Sequence, residues 1–435
     1  MLIFDVGKTN KKILLFDDEY KIVYKESIQI EETKDEDGFP CEDVNALTRW
    51  MKDSFHRLVQ DKRFEIRGVN FSGYGASFVY LDETLNVCPP LYNYLKPYPA
   101  ELKQRFYNTY GGEEKFATQT ASPVLGSLNS GMQLYRLKNE RPEVFSTIKY
   151  ALHLPQYLSY ILSSNICSEI TSVGCHTNLW DFQKNNYHKW VAQEGIEKKL
   201  APVMHSNETA GYVNDAIPVG VGLHDSSAAL IPYLAAFDEP FILVSTGTWC
   251  INLNPFNHSP LTQYELQQDC LCYLTTDGKP VKASRLFTGY EHEQQVKKLA
   301  AQFHKAENYF ETVRYDIDIS ASVQSLENID TLQHSDFKSY EEAYHYLIAG
   351  MINKQVKSIQ LVLNEKTPGI IFVDGGFSKN LIYMQMLANE FPLSKIYTGF
   401  SSEASALGAA IAFGKSRNNK DLLQKLIKSA MMSYS

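Results

Sequence analysis

The sequence predicts an α/β fold built from two related halves, and three observations carry that prediction. The first is the stretch 2–16, LIFDVGKTNKKILLF, in which two apolar runs flank a short polar turn. Such a pattern makes two buried strands joined by a tight tip. The second is its echo at 241–253, FILVSTGTWCINL, with Ser-Thr-Gly-Thr at the turn. The third is a pair of later strands, 217–221 and 370–373, each of which breaks into a glycine-bearing loop that opens a helix. Two strand–turn–strand units in one chain point to two domains, 1–230 and 231–435, facing one nucleotide.

The turns explain why a nucleotide is expected. Gly7 lets the backbone approach an anion, and the N–H groups exposed around it can cradle a phosphate. Lys8, Thr9 and Asn10 complete that turn, with Thr9 and Asn10 as short donors. Thr246, Gly247 and Thr248 form its counterpart. Asp5, at the C-terminal end of the first strand, sits where Mg²⁺ carried by ATP would be held through water. The Gly-Lys-Thr triplet is not a P-loop. That motif needs a glycine where Leu2 stands, and a helix where 13–16 reads as a strand.

Bulk properties restrict the partners. The chain has 435 residues, 44% hydrophobic and 21% charged, as expected for a globular protein of two or three domains. A net charge of −8 argues against nucleic acid or an anionic membrane as a general partner. No apolar run reaches membrane-spanning length, and a first strand starting at residue 2 leaves no room for a signal peptide. The seven cysteines are odd in number and scattered through apolar contexts, which fits reduced thiols and a cytoplasmic location. No CxxC or HExxH occurs, so a structural metal site is not expected.

Taken in order, a third strand at 20–30 leads into the charged loop 31–38, read as solvated surface, and a helix from 42 to about 60. The strand 66–71 ends in Ser72-Gly73-Tyr74-Gly75-Ala76-Ser77, and 78–81 continues extended to a turn at 82–86. Such a loop at a strand end is where α/β folds hold ligand groups, although a packed tyrosine turn would look the same. Residues 100–200 read as mainly helical. His176, in a polar turn, is either a substrate contact or a structural histidine. Asp225, in Gly222-Leu223-His224-Asp225-Ser226, is either a helix cap or a general base at the seam of the halves. The stretch 254–336 has no clear periodicity, whereas 340–364 reads as one long amphipathic helix. Asp374-Gly375-Gly376-Phe377-Ser378-Lys379-Asn380 then separates a strand from a helix, where paired glycines admit a flat ring or a phosphate. Ser401-Ser402 can cap a last small-residue helix at 403–413.

In this order the motifs resemble the FGGY carbohydrate kinases, two-domain members of the actin/hexokinase-like (ribonuclease H-like) superfamily with a cleft between the domains. Asp5-Val6-Gly7-Lys8-Thr9 resembles the first phosphate motif and Ser245-Thr246-Gly247-Thr248 the second. Ser72-Gly73-Tyr74-Gly75 resembles the sugar loop, Gly222–Ser226 the segment with the catalytic aspartate, and 374–380 the adenosine motif. Glu403-Ala404-Ser405-Ala406-Leu407-Gly408 resembles the C-terminal signature. His224-Asp225 and the spacing from Gly376 to Asn380 are closest to the rhamnulokinase and fuculokinase branch. The chain departs from the family at Lys8, where a small or hydroxyl residue is usual, and at Tyr92-Asn93-Tyr94, which lacks the common Asp-x-Arg.

The resemblance implies transfer of the γ-phosphoryl group of ATP, with Mg²⁺, to a ketose hydroxyl. Asp225 would be the general base. Asp5, Gly7, Lys8, Thr9, Asn10, Thr246, Gly247 and Thr248 would border the phosphates, and Gly375, Gly376 and Asn380 the adenosine. Tyr74, Gly75, Ala76 and His224 would meet a sugar of the rhamnulose or fuculose type. The expected partners are therefore small molecules, with a homodimer left open. Two other classes share parts of this pattern: an actin- or chaperone-like ATPase, and a sugar-binding protein without catalysis.

Overall fold

The computed structural model describes residues 1–324, 337–364, 368–399, 403–414 and 419–434. The expected Ser401-Ser402 cap and the end of the 254–336 stretch lie outside them.

Two seven-stranded sheets organise the chain. In the first, strand Leu2–Val6 pairs antiparallel with Lys11–Phe16 and parallel with Val69–Gly73. Alternation along Leu2–Val6 serves two cores at once. Leu2, Phe4 and Val6 pack with Leu47, Met51, Phe55 and Leu58 of helix Val44–Gln60. Ile3 faces the other way, with Leu14, Phe16 and the small residues Ala406, Ala409 and Ala410. Burial on both faces explains why all five residues of the strand are buried.

The second sheet repeats the plan. Strand Phe241–Thr246 pairs antiparallel with Cys250–Asn254 and parallel with Ile370–Gly375. Ile242 and Val244 join a core with Ile348, Met351 and Ile352 of helix Tyr340–Val362, while Phe241 and Leu243 join one with Tyr233 and Phe372. Each hairpin closes through its turn glycine: the Gly7 N–H donates to the Asn10 carbonyl at 3.0 Å, and the Gly247 N–H to the Trp249 carbonyl at 2.9 Å.

The helices Asp225–Ala236 and Ala404–Phe413 touch backbone to backbone. Pro232 has no N–H for the Ala228 carbonyl four residues earlier. Gly408 lies over that carbonyl so closely that a Cβ would come within 1.8 Å of its oxygen. At the start of the second helix, Glu403 accepts from Lys12 at 3.0 Å and Lys25 at 2.6 Å, fastening it to the first sheet.

Two expectations need correction. The loop 31–38 is not merely solvated surface. Asp35 is buried against Lys96 at 2.5 Å, Asp37 binds Lys96 and Arg141, and Glu32 binds Lys8. Cations placed by distant segments hold this loop down. The unreadable stretch after 254 contains strands Cys270–Leu274 and Pro280–Leu286, which extend the second sheet, and helix Thr288–Gln302. Cys270–Leu274 is buried throughout and so has no alternation to read. Among the described residues no helix is long and apolar enough to cross a membrane.

Candidate functional site

Register brings the first group of residues together. Asp5 lies opposite Ser72, and Leu223 opposite the same Ser72 on the far side; Val6, Gly73 and His224 form the next row. Three parallel strands therefore end side by side, and the chain beyond them supplies Tyr74, Gly75, Ala76 and Asp225. The Tyr74 N–H donates to the Val6 carbonyl at 3.1 Å, and Gln133 Nε2 donates to the Ala76 carbonyl at 2.7 Å, where Ala76 has φ 62°. Gly75 packs against Cys175 and His224, leaving no room for a side chain.

Asp225 is the first residue of its helix, and the residue in the capping position is His224. Its carboxylate accepts the Ser226 N–H at 2.6 Å and remains 34% exposed. Burial in the surrounding protein pushes its carboxyl up to about 6. Asp5, only 7% exposed, is also raised to about 6, chiefly by burial; Lys12 opposes the rise and the nearby Asp225 adds to it. Ser405, carried by the last small-residue helix, donates to both Asp5 oxygens at 3.1 and 3.2 Å.

His224 Nε2 lies 3.2 Å from Asp225 Oδ1 and 3.0 Å from Cys175 Sγ. Burial lowers the imidazole to about 3, so the ring is neutral and the Asp225 contact is not an ion pair. We assign the proton to Nε2, because a carboxylate can only accept. Nδ1 is then a buried acceptor without a partner. Tyr273, from the second half, stacks on this ring with centroids 5.3 Å apart. His176 is buried, donates Nδ1–H to the Leu128 carbonyl at 3.1 Å, and packs on the same Tyr273.

The second group gathers around a cavity of about 630 Å³ lined by Thr246, Gly247, Gly376 and Asn380. The Thr246 hydroxyl donates to the Asp374 carbonyl and accepts the Phe377 N–H, so it holds the loop together. Gly375 has φ 86°, and a Cβ there would fall 1.7 Å from the Thr246 carbonyl oxygen. Gly376 differs: nothing lies within 4 Å of where its Cβ would stand. Asn380 caps helix Leu381–Glu390 with its oxygen and donates its amide to Tyr344 at 2.7 Å.

Lys8 and Asn10 engage elsewhere. Lys8 Nζ binds Glu32 at 2.7 Å and Glu42 at 3.3 Å, and Asn10 accepts from Gln29 at 3.3 Å. Thr9 and Thr248 stay exposed on their turns. Tyr92 is structural, its hydroxyl donating to Glu36, whereas Tyr94 packs edge-on to Tyr74. Sequence reasoning missed Tyr273, and it missed Gly289, His292, Phe310 and Arg314 of the second cavity. Among the described residues no cluster of three or more His, Cys, Asp or Glu could hold a metal ion.

The N-terminal domain model of the FGGY family of carbohydrate kinases matches residues 1–237, more than half of the chain. The chain belongs to this family. The FGGY carbohydrate kinase C-terminal domain model matches 238–320. A rhamnulokinase of Bacteroides thetaiotaomicron is 25% identical over 224 residues, covering 48% of this chain and 44% of that one. A rhamnulokinase of Yersinia pestis is 22% identical over 287 residues, covering 61% and 56%. The chain thus spans about half the length of the curated relatives it matches. Among solved structures, a carbohydrate kinase from Novosphingobium aromaticivorans superposes with a TM-score of 0.80 at 21% identity, covering 100% of this chain and 96% of that one. A ligand-bound xylulose kinase from Lactobacillus acidophilus gives 0.81 at 16% identity, covering 99% and 92%. The FGGY fold of two actin/hexokinase-like halves around a cleft is therefore the fold of this chain.

Proposed function

We propose that this protein is an ATP-dependent kinase that transfers the γ-phosphoryl group to a ketose, a deoxyketohexose of the rhamnulose or fuculose type. The phosphate would go onto the terminal hydroxyl nearest the carbonyl. The observation that carries the reading is Asp225: an elevated carboxyl, still partly exposed, beside a neutral His224 and at the end of the Asp5 and Ser72 strands. In this reading Asp225 accepts the proton of the sugar hydroxyl as its oxygen forms the new bond to phosphorus. The bond to the bridging oxygen of ADP breaks, and ADP departs with that electron pair. Amides around Gly7 and Gly247, with Thr9 and Thr248, hold the phosphates, while Gly376 and Asn380 border the adenosine in the second cavity.

The buried Asp5 carboxylate, raised partly by Asp225, fits a site for Mg²⁺ held through water. When bound with ATP, that ion would neutralise phosphate charge. The His224 Nδ1 and the Gln133 Oε1, both buried without partners, suit the hydroxyls of a sugar. Closure of the halves, 1–230 on 231–435, would exclude water. A cytoplasmic location belongs to the same reading.

Two measurements follow. A general base must be unprotonated, so a carboxyl at about 6 makes kcat/KM fall as the pH drops through that value. Below it, the fall should approach about tenfold per pH unit. A flat profile down to about pH 5 would remove Asp225 from proton transfer. Relative kcat/KM across rhamnulose, fuculose, xylulose, ribulose and glycerol tests the substrate. The deoxyketoses should lead, with xylulose or ribulose behind by no more than the value of a methyl contact, about 1–3 kcal/mol. A clear preference for glycerol or an aldose would refute the assignment.

A further inference from the structure

We propose that Arg285 is a specificity-determining contact to the far end of the acceptor, reaching the sugar site from the second half of the chain. This rests on the carbohydrate-kinase reading and adds a residue outside every motif noted above. Arg285 stands near the end of strand Pro280–Leu286, opposite Ile251 in the strand that follows Trp249. It lines a cavity of about 380 Å³ between the halves. Tyr94, Tyr98 and Leu128 form one wall of this cavity, and Trp249, Asp269 and Arg285 the other. The cavity adjoins the sugar loop: Leu128 accepts from His176, Tyr94 packs on Tyr74, and the Arg285 charge acts on His176 and Cys175.

The guanidinium is set rigidly. Nε donates to Asp269 Oδ2 at 3.1 Å and Nη2 to Oδ1 at 2.6 Å, while its carbon lies 5.2 Å over the Trp249 ring. Asp269 takes a left-handed φ of 60° where it makes this fork. The side chain as a whole is only 7% exposed, and its fork bonds use Nε and Nη2, leaving Nη1 outside the fork and not among the fully buried unpaired atoms. That N–H can donate to a ligand oxygen in the cavity without breaking the fork, and a hydrogen bond from a charged donor is stronger than one between neutral groups. Trp249 offers an apolar face for the C–H surface of the same ligand.

Charge selects among ligands. Asp269 compensates Arg285, and the other cation lining the cavity, Lys96, is matched by Asp35 and Asp37. Donors without net charge suit a neutral polyhydroxylated acceptor and give a carboxylate little advantage. The site should therefore prefer a ketose to a sugar acid such as gluconate.

Steady-state kinetics of the full chain with the best ketose, with gluconate and with ATP test this, using Arg285→Met, Arg285→Lys and Asp269→Asn. Arg285→Met should raise KM for the ketose on the order of 10–100-fold, leaving KM for ATP within about twofold. Arg285→Lys should recover little, because an ammonium cannot reproduce the fork. Asp269→Asn tolerates the left-handed backbone and uncovers the guanidinium charge, so the gluconate-to-ketose ratio of kcat/KM should rise. If Arg285→Met does not fold, the Asp269→Asn ratio decides alone. A folded Arg285→Met with unchanged ketose KM, or an unchanged ratio in Asp269→Asn, overturns the proposal while leaving the kinase reading intact. A wild-type protein that turns over no sugar overturns both.

Discussion

Asp225→Asn should lose phosphoryl transfer by about 10²–10⁴-fold while binding ATP as the wild type does. The amide is nearly isosteric and can still accept the Ser226 N–H that the carboxylate accepts at 2.6 Å, so the helix start is preserved. What disappears is a group able to take a proton. Removing the charge also relieves the repulsion that helps raise Asp5, so the variant should be no less stable than the wild type. Single-turnover phosphoryl transfer and equilibrium binding of a non-hydrolysable ATP analogue separate the two properties. Near-normal turnover would reduce Asp225 to a helix-start residue. Loss of nucleotide binding would show that the substitution disturbs more than chemistry.

Gly376→Val should abolish ATP binding in a protein that still folds, and Gly375→Val should fail to fold. The contrast arises because adjacent glycines are constrained by different things. Gly375 has a left-handed φ, and any Cβ there meets the Thr246 carbonyl oxygen at 1.7 Å. Its replacement disrupts the contact between two parallel strands of the second sheet. Gly376 has space around it, but that space belongs to the cavity of about 630 Å³ that would take the adenosine. A β-branched side chain would fill it and block close approach to the backbone. Calorimetric titration with the ATP analogue and thermal unfolding of both variants are the measurements. Unchanged nucleotide affinity in folded Gly376→Val would remove this loop from the nucleotide site.

Much of this architecture was legible because the key segments obey simple rules. Both strand–turn–strand units carry short apolar runs, 2–4 and 241–244, that lead to a glycine turn, and the parallel register of the folded sheet then aligns Asp5, Ser72 and Leu223. The paired glycines at 375–376 were equally visible, whereas Asn380, read only as a neighbour of the adenosine, proves also to cap helix Leu381–Glu390. What escaped depends on partners distant in sequence. The carboxylates of 31–38 look solvated until Lys96 and Arg141 are folded against them. Cys270–Leu274 hides its strand because both of its faces are buried, and Tyr273 within it reaches His224 across the cleft. Lys8 reads as a phosphate contact by position, yet Glu32 and Glu42 engage its ammonium. The Asp269–Arg285 fork joins two chain segments with no motif in common.

Phosphorus NMR of the wild-type protein incubated with ATP, magnesium and each ketose, against a control without sugar, tests the central claim most directly. The expected result is ADP formed only when a ketose is present, with an equal amount of a sugar monophosphate ester carried on its terminal carbon. ADP formed at the same rate without sugar would contradict it and indicate an ATPase of another kind, and sugar bound with no ADP formed would indicate a binding protein without catalysis.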